Sequence, residues 1–376
     1  MLVGVAAVAA PRIAQRRIRA SRLSGDPFRT AAEAVGWHLA MQAQDYPPAK
    51  WSIGQRSTGL RDADLDLALT DGTIVRTHVL RPTWHFVARD DVRWLLELSA
   101  PRVHRANAGR YAELGLDART RARCERVIAR ALEGGNRLTR EGLAGALDRA
   151  RIDRVGQRMP YILIHCELEA VICSGGLSGR QQTYALMDER VPVGGRLGRD
   201  EALTELARRF LRSHGPATAK DMSWWSGFTI GDLRTALEGL GSDVERETID
   251  GLAFWSVGDR RDEPPVPRGV DLLQAYDELV VGYSESRWWG DARREAVAAA
   301  WRDPGRPSGV ILFEGRLAGH WSRRVEGDSI RIEALLYEPR KRGFLKALQA
   351  AAEEHSVFFG RPVTLDIASI QSRRTS

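Results

Sequence analysis

Lysine is nearly missing from this chain. Among 56 basic residues in 376, only Lys50, Lys220, Lys341 and Lys346 are lysine, and the rest are arginine. Cysteine is also scarce. Cys124, Cys166 and Cys173 form no CxxC pair and are too few to staple a chain of this length, so a disulfide scaffold is excluded. A reducing cytoplasm is the expected compartment, and structural zinc is not expected. No apolar run approaches the roughly 18 residues of a membrane span, so no membrane partner is expected either. The motifs HExxH, GxSxG and GxxxxGK[ST] do not occur, which removes the zinc-protease, hydrolase-elbow and P-loop readings. The glycines at 175, 176 and 179 lack dinucleotide-binding spacing. The eight histidines show no i, i+4 pair, so neither metal nor cofactor is expected.

What is present is the composition of a globular protein, 43% hydrophobic and 28% charged, long enough for two or three domains. A net charge of +7 and a pI near 9.6 suit a phosphate-rich partner, and the planar arginine fork pairs with phosphate bidentately. GC-rich coding also replaces lysine with arginine, so this bias permits a nucleic-acid partner without requiring one. Residues 1–10 are small and apolar with no preceding positive charge. They read as a loose extension and not as an export signal.

A pattern of helices followed by a hairpin recurs three times. In the first unit Asp26-Pro27 is a helix start, with helices expected over 29–39 and 61–69 and strands over 74–80 and 83–87. In the second, helices are expected over 120–132 and, capped by Thr139, to 150. A long helix from Pro160 to Cys173 follows, then a Gly175-Gly176 turn and a strand over 181–187. The third has a helix over 201–213, a short helix capped by Thr218, a turn at Gly227, and a helix capped by Thr229. It closes with a hairpin of strands 244–248 and 252–257 joined at Asp250-Gly251. This is the arrangement of a winged helix-turn-helix. The expected fold class is therefore α+β: three tandem winged helix-turn-helix units at 1–115, 116–198 and 199–263, then a C-terminal mixed α/β domain at 264–376. The proline-rich stretch 264–267 is the expected linker.

Residues 41–48 read Met-Gln-Ala-Gln-Asp-Tyr-Pro-Pro. Pro47 and Pro48 push the residues before them toward extended backbone, where residues two apart point the same way, so Gln42 and Gln44 can present two carboxamides to one site just beyond a helix end. The alternative is that they cap a helix and hold a loop.

The chain resembles the AlkZ/YcaQ-type winged-helix DNA glycosylases. The likeness rests on Gln42-Ala43-Gln44-Asp45, Arg81-Pro82-Thr83-Trp84-His85, Ser213-His214-Gly215-Pro216-Ala217-Thr218, Trp225-Ser226-Gly227, Tyr276-Asp277-Glu278 and Gly282-Tyr283, in that order. Gln44 places it with the Gln-x-Gln branch, where the other branch has Gln-x-Asp. The resemblance implies a hydrolase that removes bulky cationic N7-alkylpurines from double-stranded DNA, in some members unhooking crosslinks and protecting producers of alkylating natural products. It implies Gln42 as the water-positioning residue, Gln44 as its assistant, and Asp45 as a supporting carboxylate beside a cationic sugar. His320, Trp321, Arg323 and Arg324, which follow the Gly315 turn, are the expected DNA-contacting hairpin. A monomer without cofactor is expected. A non-catalytic winged-helix regulator fits the same pattern but needs no Gln42 and binds undamaged DNA by sequence. An inactive relative that only sequesters damaged DNA is a third reading.

Overall fold

The computed structural model describes residues 3–258, 269–288, 291, 309–338 and 341–369, so the 264–267 linker and Trp289 lie outside the described residues. The fold is α+β. The N-terminal segment is a helix and not a loose extension: α1 (Val3–Ala20) draws on its alanine-rich composition. Helix α2 (Ala31–His38) starts later than Asp26-Pro27 because Thr30 and Glu33 form a reciprocal cap. The Glu33 amide donates to Thr30 Oγ1 at 3.1 Å and the Thr30 amide to Glu33 Oε2 at 3.3 Å. A three-residue strand β1 (Ala40–Gln42) is followed by α3 (Tyr46–Gly54), which was not anticipated. Pro47 and Pro48 occupy its first turn, where a missing N–H costs no helical bond.

Helix α4 (Asp62–Asp71) leads to the antiparallel pair β2 (Ile74–Val79) and β3 (Thr83–Ala88), and β1 joins the other side of β3. Helix α5 (Val92–Glu113) was not anticipated, and it carries Pro101 in its interior. Helix α6 (Ala118–Leu132), the two-residue β4 (Leu138–Thr139), and α7 (Arg140–Arg149) follow, with Thr139 Oγ1 accepting from the Gly142 amide at 3.2 Å. Helix α8 (Arg158–Leu168) stops before Cys173. Ala170 turns to φ 54°, and Cys173 lies instead in β5 (Ile172–Ser178). Gly175-Gly176 is not a turn either. It forms an irregularity inside β5, and the reversal to β6 (Gln181–Leu186) comes at Gly179 (φ 60°). After the short α9 (Met187–Arg190), the local elements expected over 201–257 are observed with nearly the expected bounds. They are α10 (Arg199–His214), α11 (Ala219–Ser226), α12 (Ile230–Gly239), and the hairpin β7 (Val244–Ile249) and β8 (Leu252–Val257). Thr218 and Asp221 make a complete capping box, and Gly227 ends α11 in the left-handed region at φ 78°.

The C-terminal part adds a five-stranded sheet of order β13-β12-β11-β10-β9. Its strands are β9 (Val270–Leu273), β10 (Gly309–Phe313), β11 (Arg316–Glu326), β12 (Ser329–Leu336) and β13 (Val363–Ser369). The short α13 (Glu278–Val281) follows β9, and α14 (Arg342–Phe359) makes the crossover that lets β13 lie parallel to β12.

Packing divides the chain differently from the four stretches read in the sequence. One compact unit contains residues 1–38, 45–63 and 206–376, and the other contains 39–44 and 64–205. Helices α1, α2 and α3 therefore belong with the C-terminal part, while most of α4, the β2–β3 hairpin and α5 belong with the second expected unit. A sequence pattern reports local elements, and long-range burial decides which of them share a core.

In the second compact unit the core gathers Tyr111, Ile128, Leu147, Ile162 and Tyr184. Cys124 and Cys166 belong to it, and burial pushes the Cys124 thiol up to about 11. Two of the buried histidines of the first compact unit, His38 and His355, are strongly shifted. Burial lowers His38 to about 3, with Arg56 adding to the effect, and lowers His355 to about 3, with Arg323 adding. Both rings are neutral when folded, whereas an unfolded histidine takes up a proton below its ordinary 6.5. The unfolded state then binds more protons, so stability is lost as pH falls from about 6.5 toward 3. Urea unfolding across this range should show that decline. Replacing His38 and His355 with glutamine should flatten it, and an unchanged slope would rule these rings out as the source.

Candidate functional site

The Gln-x-Gln segment is extended because β1 pairs with β3, not because of the prolines that follow. Gln42 stands opposite His85, which stands opposite Thr77, so one register line crosses all three strands. The ladder continues past the strand end, with the Ala43 amide donating to Trp84 O at 2.7 Å. Gln42 is 8% exposed. Gln44 is exposed, and its side-chain oxygen accepts from the Trp84 amide at 3.4 Å. His85 is buried, and its Nδ1, 2.9 Å from Thr83 O, carries a proton that it donates to this carbonyl.

Arg76, which the sequence did not single out, holds this segment from the opposite register. Its Nε donates to Ala43 O at 3.0 Å and one terminal nitrogen to Gln44 O at 3.5 Å. Its guanidinium lies 4.1 Å from the Trp84 ring centre. Trp84 is packed on its other neighbour too, since the His78 ring is 4.1 Å away centre to centre. His78 in turn bonds through Nδ1 to the fully buried Glu167 carboxylate. The stack Arg76–Trp84–His78–Glu167 fixes the backbone between the two glutamines. An aromatic-basic alternation, Arg76 and His78 on β2 facing Trp84 and Phe86 on β3, was the signal available for it.

In the other compact unit, Asp45 is the N-cap residue of α3, although its side chain makes no capping bond. Its carboxylate is exposed and acts on Arg323 as the foremost countercharge. Arg323 itself is largely enclosed. It stacks 4.3 Å from the Phe359 ring, lies 3.5 Å from His355 Nε2, and burial lowers its pKa.

The DNA-contacting role expected for His320 and Trp321 is corrected by their burial. His320 is fully buried, with Nε2 2.6 Å from Tyr337 Oη. Trp321 is 3% exposed, and its indole donates to Leu273 O at 2.8 Å. Both sit in the central strand of the five-stranded sheet, where neither face is open. Arg324, Val325 and Glu326 are the exposed residues beside the β11–β12 turn at Gly327. Of the paired tryptophans, Trp225 is buried on Glu278 at 2.9 Å and Trp224 is partly exposed on Val281 O at 3.0 Å.

The remaining motifs form a buried network. His214 stacks on Phe210 with ring centres 4.6 Å apart, and its Nε2 lies 3.0 Å from Glu278. The Tyr283 hydroxyl donates to His214 O at 2.7 Å. A Cβ on Gly282 would stand 2.7 Å from His214 Cδ2, so glycine is required for this approach. Asp277 accepts two bonds from Arg56, both at 2.7 Å, with both side chains fully enclosed. These residues build the scaffold and touch no open surface.

Residues 35–358 match the model of a family described as AlkZ-like, DNA glycosylase AlkZ-like. A Streptomyces sahachiroi protein named interstrand DNA cross-link repair glycosylase is 22% identical over 316 residues, covering 78% of this chain and 82% of the relative. The solved structure of Streptomyces sahachiroi DNA glycosylase AlkZ superposes with a TM-score of 0.76 over 96% of this chain and 99% of that one, at 19% identity. At that identity the structural likeness establishes the shared fold.

Proposed function

The chain belongs to the AlkZ-like DNA glycosylases, and from that premise we propose that it hydrolyses the N-glycosidic bond of bulky, cationic N7-alkylpurines in double-stranded DNA. Alkylation at guanine N7 places positive charge on the base. The C1′–N9 bond then breaks with its electron pair leaving on the base, and no strong acid is needed. Water adds to C1′ and loses a proton, leaving an abasic sugar. The protein's task is to place that water and to favour an oxocarbenium-like sugar.

Gln42 orients the water through its carboxamide, and Gln44 assists. The observation that carries this reading is the Gln-x-Gln segment, held extended on β1 and clamped at Ala43 and Gln44 by Arg76. A regulator has no need for such a clamp on two neutral amides. Asp45 supplies negative charge near a cationic sugar, and Arg324 contacts phosphate. Opening of interstrand crosslinks is part of the proposal, supported by the name of the Streptomyces relative, and self-resistance to an alkylating natural product is proposed from the sequence resemblance alone. The enzyme acts as a monomer.

The test is incubation with duplex oligonucleotides bearing N7-guanine adducts of increasing size. The expected result is release of the modified base and an alkali-labile abasic site, with undamaged DNA left intact. Tight, sequence-selective binding of undamaged DNA without base release would favour the regulator instead.

A further inference from the structure

The histidines are scattered in sequence, yet two of them meet in the fold. His104 from α5 and His165 from α8 have ring centres 5.1 Å apart, and Glu169, four residues after His165, lies beside them. One donor atom from each of these three residues lies within 4.8 Å of the others.

Each ring is oriented by its second nitrogen. His104 Nδ1 is 3.0 Å from the Tyr111 hydroxyl, and His165 Nε2 is 2.6 Å from Glu125 Oε1. The opposite nitrogens, His104 Nε2 and His165 Nδ1, are buried; His165 Nδ1 makes no hydrogen bond among the described residues, and His104 Nε2 faces Glu169 Oε1 at 2.8 Å. A histidine held by a hydroxyl or carboxylate on one nitrogen, with the other left open toward a neighbouring donor, is the usual outer arrangement of a metal ligand. Burial lowers His165 to about 4 and also lowers His104.

We propose that His104, His165 and Glu169 bind a zinc-class divalent cation, with water in the fourth position and Tyr111 and Glu125 as orienting partners. Two imidazoles and one carboxylate suit a borderline metal such as zinc and not magnesium or calcium, which prefer oxygen donors. The Arg121 guanidinium stacks 4.6 Å from the Tyr111 ring centre and donates to Leu116 O. Its charge opposes the cation, while Glu169 and Glu125 outweigh it. The metal would tie α5 to α8, with α6 joined through Glu125. It is separate from the Gln-x-Gln segment and does not depend on the proposed reaction.

The experiment is equilibrium dialysis of the full chain against micromolar zinc after chelator treatment, with bound metal counted by mass spectrometry. Cobalt substitution adds a visible-absorption readout of low coordination number. Wild type is expected to hold one zinc and to melt at a higher temperature with it. Glu169→Gln, at a half-exposed position, and His104→Gln should each weaken binding by at least tenfold while circular dichroism shows a folded chain. Tyr111→Phe should weaken it by roughly 10–100-fold. Absence of zinc in the wild type, or zinc held by either ligand variant as tightly as by wild type, overturns the site.

Discussion

Gln42→Ala is expected to reduce base excision by on the order of 10²–10³-fold, the effect of removing one positioned polar group from a reaction site, while duplex affinity stays within about twofold. The reason lies in the placement of the residue. It ends β1, 8% exposed, on the register line it shares with His85 and Thr77. The backbone after it is held by Arg76 at Ala43 and Gln44. Truncation removes the carboxamide and leaves the strand pairing in place. Single-turnover release of an N7-alkylguanine, alongside DNA binding and a thermal melt, separates lost chemistry from lost fold. Gln44→Ala should cost less, since the exposed Gln44 only assists in this scheme. Equal excision by wild type and Gln42→Ala would falsify the assignment.

Asp277→Ala is expected to destabilise the protein by about 3–5 kcal/mol, the usual effect of stranding one member of a buried ion pair. Asp277 accepts from both terminal nitrogens of Arg56 and also caps α13 through the Leu279 amide at 3.0 Å. After truncation Arg56 keeps its bonds to the carbonyls of Ser21 and Ser52, at 2.8 and 2.7 Å, but loses the carboxylate that accepts from both its terminal nitrogens. Asp277→Asn retains an acceptor for the cap and should fall between wild type and alanine. Urea denaturation provides the measurement. A loss under about 1 kcal/mol would place this pair in the class of exposed bridges and discard the buried-network account.

The elements most legible in the sequence carry their signals within a few residues. The caps Thr139, Thr218 and Thr229, the Gly227 stop and the Asp250-Gly251 hairpin needed no distant partner to be read. The errors occur where burial overrides local preference. Pro101 lies inside a 22-residue helix, and Pro47 and Pro48 open a helix that the sequence reading did not place there. Strands β9 and β13 were missed because a four-residue edge strand and a strand that pairs only in parallel leave little local trace.

The candidate site was half legible. Gln42 and Gln44 were found by motif, and their extended backbone was anticipated for a reason that proved wrong. Arg76 was missed because its partners are carbonyls 32 and 33 residues earlier. His320 and Trp321 were assigned to a DNA-facing tip because they follow a glycine turn. The strand they occupy continues to Glu326, so the tip lies further along and only Arg324 of the four is exposed beside it.

The discontinuity of the first compact unit bears on how the polypeptide is made. Translation delivers Arg56 221 residues ahead of Asp277, and Arg17 269 residues ahead of Ser286. Residues 64–205, by contrast, form most of the other unit from one uninterrupted stretch. A nascent chain can therefore complete that middle portion on the ribosome while its opening helices still wait for partners. A premature stop in the last third would thus do more than trim a terminal domain. It would strand two guanidinium groups made at the very start of synthesis.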